Sequence, residues 1–68
     1  MNLLTNSAMN WKSADKDLPK HKQEVLTSIE GIYAVAIFDY YEKGFKIKES
    51  GKFYWTKDGD IIYWCEIL

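Results

Sequence analysis

Sixty-eight residues, 47% of them apolar and 16% aromatic, suffice for one domain with a thin core, because folding at this size buries only about 60% of the surface that the unfolded chain exposes. Nine lysines face ten acids for a formal charge of −1, and there is no arginine; without the planar, bidentate guanidinium, base-specific reading of duplex DNA is disfavoured. A lone cysteine, Cys65, excludes an internal disulfide, and a lone histidine, His21, leaves too few ligands for a closed zinc site.

Residues 1–10 lack periodicity and read as a tail ahead of a single small β domain over 11–68. Met1 to Met9 holds one apolar pair, Leu3-Leu4, and no basic residue, so neither the charged nor the apolar part of a secretory signal is present. No apolar run approaches a membrane span. The expected compartment is the cytoplasm, with no membrane partner.

From Trp11 to Pro19 the chain reads as an irregular arm. Ser13 is placed to cap one helical turn, Pro19 forces Leu18 towards an extended conformation, and Trp11 and Leu18 are the expected pins. Five strands follow, separated by short turn signals, the pattern of an antiparallel meander. Glu24 to Glu30 ends at Gly31. Tyr33 to Tyr41 ends at Glu42-Lys43-Gly44, whose glycine suits the left-handed position of a bulged hairpin.

Phe45 to Glu49 stops at Ser50-Gly51. Phe53 to Lys57 meets Asp58-Gly59, the strongest short hairpin signal in the chain, and Asp60 to Ile67 is the last strand. A two-residue turn there would set Trp55 against Ile62 and Phe53 against Trp64. Tyr33 to Tyr41 is apolar on both faces, with Val35 and Ile37 on one and Ala34, Ala36 and Phe38 on the other, so it should be central. The expected fold is mainly β: a strongly bent sheet or open SH3-like barrel with a short N-terminal helical turn or arm.

Trp11-Lys-Ser-Ala-Asp-Lys-Asp-Leu18-Pro19, then Glu24-Val25-Leu26, an aromatic strand, and Tyr63-Trp64 together resemble the small bacterial and phage proteins of domain-of-unknown-function family 551. Those proteins open with Trp-x-Ser-x-x-x-x-Leu-Pro, and the similarity spans residues 11–68. Family members commonly close with Thr-His-Trp-Met-Pro-Leu-Pro, whereas this chain has Ile62-Tyr63-Trp64-Cys65-Glu66-Ile67-Leu68, so no role of that histidine carries over. The resemblance implies a small cytoplasmic protein of phage or mobile-element neighbourhoods. It brings no catalytic residue, cofactor or ligand.

Enzymatic chemistry is not expected. A nucleophile needs a positioned base and an orienting group, and the one Cys/His pair is split between the last strand and an early polar turn. Asp58 and Asp60 serve turn geometry, and there is no phosphate loop or HExxH motif. No cofactor or metal is implied.

Three tryptophans, five tyrosines and three phenylalanines are the outstanding feature. Trp11 and Trp64 read as core anchors. Tyr40, Tyr41, Tyr54 and Trp55 sit near turns beside Lys43, Lys52 and Lys57, and these seven form the candidate binding surface. As a protein-interaction surface it would take a homodimer or a host or phage partner. The alternative is single-stranded nucleic acid, with Tyr40, Tyr54 and Trp55 stacking bases. Between Lys43 and Lys57 there are five lysines and one acid, so Lys43, Lys46, Lys48, Lys52 and Lys57 would neutralise phosphates. That alternative requires lysines and aromatics on one face.

Overall fold

A computed structural model describes residues 10–67; the expected tail, Asn10 apart, lies outside the described residues. Alternation of apolar and polar positions sets the strands. In β2 (Glu24–Ile29) Val25, Thr27 and Ile29 turn inward while Glu24, Leu26 and Ser28 turn outward. The other strands are β1 (Lys12–Ser13), β3 (Ile32–Asp39), β4 (Gly44–Ile47), β5 (Phe53–Trp55) and β6 (Ile62–Glu66). They form one open antiparallel sheet of six strands in the order β1-β6-β2-β3-β4-β5.

Strands β2 to β5 are the expected meander. The β2–β3 turn places Glu30 at φ 54° and Gly31 at φ 79°, the two positive values that a two-residue hairpin turn needs to match strand twist. At the β3–β4 turn the left-handed residue is Lys43, with φ 57°, and not Gly44. Gly44 is required for a different reason: a Cβ there would lie 2.6 Å from the Tyr54 carbonyl oxygen and collide with the Phe53 ring.

The last strand departs from expectation. Asp58-Gly59 does not make a hairpin; Thr56–Asp58 forms a 3-10 turn ended by Gly59 in the left-handed region. The chain then crosses to the other side of the meander, where β6 pairs with β2, setting Ile62 against Ile29, Trp64 against Thr27 and Cys65 against Leu26. Burial explains the choice. Beside β2 both Ile62 and Trp64 are 3% exposed, and an aromatic of that size removes roughly 150–250 Å² from water, far more than a local turn preference contributes.

The N-terminal arm supplies a sixth strand, β1, which pairs with β6 through Lys12–Trp64 and Ser13–Tyr63. Its helical turn forms as expected: the Asp17 amide donates to the Ser13 carbonyl at 2.9 Å, and the Asp15 amide to Ser13 Oγ at 3.3 Å. The pins differ. Leu18 is exposed, whereas Ala14 and Pro19 are buried and the Trp64 indole N–H donates to the Asp17 carbonyl at 2.9 Å.

Val25, Ala36, Phe38 and Phe45 have no exposed surface, with the Phe38 and Phe45 rings 5.0 Å apart. No α-helix covers them among the described residues. From the arm, Ala14 joins this buried cluster. The fully buried Thr27 hydroxyl donates to the Ala34 carbonyl at 2.7 Å, which removes the penalty of an unpaired buried polar group.

Gly44→Ala is expected to destabilise the domain by roughly 1–3 kcal/mol, the usual range for overpacking, because one of the contacted atoms is backbone. Urea denaturation followed by tryptophan fluorescence measures it; an unchanged midpoint would show that β5 moves aside freely.

Candidate interaction surface

On the outer face, Ser28 of β2 stands between Tyr63 of β6 and Tyr33 of β3 in a single cross-strand row. Neighbouring strands lie about 4.8 Å apart, so the two tyrosines rise roughly 10 Å from one another over a small residue. Trp11 reaches across from the arm and tilts against Tyr33, ring centroids 5.8 Å apart. Trp11, Ser28, Tyr33 and Tyr63 line a trough of about 290 Å³ in which no charged residue takes part. Leu26, Val35 and Ile37 continue this face as half-buried apolar ground. At its far end Phe53 and Trp55 pack at 4.6 Å.

The seven residues singled out by sequence divide into groups. Tyr40, Tyr41 and Lys43 share the β3–β4 turn, where the Lys43 ammonium sits 3.1 Å from the Tyr40 ring centroid and Tyr41 meets the His21 ring edge-on at 4.8 Å. Trp55 joins this end: its indole N–H points at Glu42 Oε1 at 3.4 Å, and the Thr56 amide donates to the Lys43 carbonyl at 2.9 Å. Tyr54 faces the opposite way, half-buried beside the inner core, with the Lys52 ammonium 4.9 Å from its ring centroid. Lys57 is exposed on the 3-10 turn.

Trp11 is not a core anchor; it belongs to the outer trough, whereas Trp64 is in the core. The Trp11–Tyr33–Tyr63 cluster escaped sequence reasoning because it exists only when β6 lies beside β2. A hairpin register for the last strand put Tyr63 near β5 instead.

The β3–β4 turn also holds a charged group in a defined state. Asp39 Oδ1 accepts hydrogen bonds from the amides of Glu42 at 3.0 Å and Tyr41 at 2.9 Å. The Glu42 amide first, and the Tyr41 amide after it, hold the carboxyl below its ordinary value, against the opposing effect of desolvation. Cys65 is buried on β6, and desolvation pushes its thiol pKa up, which disfavours the reactive thiolate. His21 Nδ1 accepts the Tyr40 amide at 3.1 Å, so its near partners lie in the β3–β4 turn. Among the described residues no group of three His, Cys, Asp or Glu side chains is placed to hold a metal, and no helix is long and apolar enough to cross a membrane. Comparison of the chain with protein-family models, with curated proteins and with solved structures returns no match.

Two outcomes follow from these groups. Because the folded-state pKa of Asp39 lies below the ordinary 3.8, its ionised form stabilises the turn above that pH, and the contribution is lost as pH falls through the lowered value. A carboxyl-detected NMR titration is expected to place its midpoint below 3.8, and a midpoint above it would contradict the turn geometry. A thiol reagent at neutral pH should modify Cys65 slowly in the native protein and rapidly in urea; equal rates would mean that the β1–β6–β2 region opens readily.

Proposed function

We propose that this domain is a protein-interaction module that binds through its outer sheet face. The observation that carries the reading is the trough of Trp11, Tyr33 and Tyr63 over Ser28, with Tyr33 67% and Tyr63 44% exposed. Large, stiff aromatics around an uncharged trough anchor the centres of interfaces, because they bury much area for little lost rotamer freedom. The partner is a second copy or another protein. The family resemblance of residues 11–68 supports a small bacterial or phage-associated protein working in the cytoplasm, without catalysis or a cofactor.

Single-strand nucleic-acid binding has less support. It needs Tyr40, Tyr54 and Trp55 with the lysines on one surface, yet Tyr54 and Trp55 project from opposite faces of β5.

The test is the double variant Tyr33→Ala with Tyr63→Ala, both exposed and so tolerated by the fold. Wild type is expected to self-associate in sedimentation analysis, or to retain a specific protein in affinity capture, and the variant to lose that behaviour. Identical behaviour of a folded variant removes the outer face from consideration. Titration with single-stranded DNA at low salt should leave tryptophan fluorescence flat; saturable, salt-sensitive quenching would put nucleic acid first.

A further inference from the structure

Strand β3 is eight residues long, but β4 pairs only with Ala36 to Asp39. One more contact, from the Lys48 amide to the Val35 carbonyl at 2.9 Å, extends that side. Backbone polar groups alternate sides along a strand. Since Val35 turns towards β4 and Phe38 donates to Gln23 on the β2 side, the N–H and C=O of Tyr33 point into the space beyond β4. Among the described residues no backbone group meets them there. Sheets usually blunt such edges, and this one does so elsewhere: β1 has two residues and β5 three. At the open half of β3, by contrast, Ile32 and Tyr33 are 65% and 67% exposed.

Two cavities adjoin that edge and share Ala34 and Ile47. The inner one, about 110 Å³, is lined by Ile29, Ile32, Ala34, Ile47 and Tyr54, with only Thr27 and Ser50 as polar members. It is smaller than the 150 Å³ that admits benzene, a size for a branched aliphatic side chain. The outer groove runs past Tyr33, Val35, Lys48 and Glu49. Its charges do not cancel. Lys48 is paired with Glu24 at 3.2 Å, whereas Glu49 has no ion pair among the described residues. The groove therefore keeps one free carboxylate beside an aromatic face, the complement of a cation. The molecule already seats its own lysines over Trp64, Tyr40 and Tyr54, and Tyr33 has no such lysine among the described residues.

We infer that the open edge of β3 binds an extended segment of a partner protein by strand addition, taking an aliphatic residue into the inner cavity and the adjacent lysine or arginine between Tyr33 and Glu49. Main-chain hydrogen bonds to Tyr33 hold the added strand, and its alternate side chains supply selectivity. This rests on the reading of the domain as an interaction module and assigns a second contact beyond the trough.

The probe is the peptide acetyl-Leu-Lys-Leu-Lys-Leu-amide, titrated to millimolar excess into the full chain labelled with ¹⁵N. Saturable amide shifts are expected at Ile32, Tyr33 and Ala34, with slowed hydrogen exchange at the Tyr33 amide. Methylating the peptide's backbone nitrogens should weaken binding about tenfold, through the loss of one or two main-chain hydrogen bonds. Glu49→Gln, at an exposed position, should weaken it roughly two- to fivefold at low salt. Shifts confined to Trp11 and Tyr63 would overturn strand addition while leaving the outer face as a binding surface. No saturable shift at β3, or equal binding by the methylated peptide, overturns it outright, and the tyrosine double variant then decides the interaction reading separately.

Discussion

Trp64 joins three parts of the chain that are far apart in sequence. Its backbone pairs with Lys12 on one side and Thr27 on the other, its ring lies in the core with Val25, Ile29 and Phe38, and its indole N–H holds the Asp17 carbonyl. The Lys12 ammonium lies 4.8 Å from the ring centroid and 3.8 Å from Glu66. The arm needs Trp64 for its place, and the inner face needs the arm for its cover. With no helical layer among the described residues to complete the core, a domain of this size has little else to substitute.

Much of the sheet was legible in the sequence because alternation and turn chemistry are local. The meander from Glu24 to Trp55, the two-faced apolar character of β3 and the helical turn after Ser13 all follow from neighbouring residues. The place of the last strand does not. Asp58-Gly59 carries a strong hairpin signal, and only the bare edge of β2, some thirty residues earlier, competes with it. Ile62 and Trp64 gain deep burial beside β2, and tertiary burial outweighs a turn preference. Lys43 and Gly44 show the same limit on a smaller scale: Gly44 is needed for the close approach of the Phe53 ring and the Tyr54 carbonyl, while Lys43 takes the left-handed conformation.

The candidate surface was half legible for that reason. Tyr40, Tyr41, Lys43 and Trp55 meet because they border one turn and its neighbouring strand end. Tyr33 and Tyr63 meet only through a register that includes β6. Exposure of aromatics is read easily from composition, whereas their convergence is a property of strand order. The resulting surface has two unlike parts, an uncharged aromatic trough and a strand edge with a free carboxylate beside it. They share Tyr33, whose side chain borders both and whose main chain belongs to the second.

The second place in the sheet is occupied by β6, the sixth strand in chain order, and this has a consequence for the order of folding. Residues 24–55 contain the whole meander, so four strands can pair through contacts between chain neighbours. The other edge of β2 is closed only when Ile62–Glu66 arrives from far along the chain. Closing that longer loop is slower than forming a hairpin, which takes microseconds. Until it closes, that edge of β2 is unpaired and open to pairing with another chain.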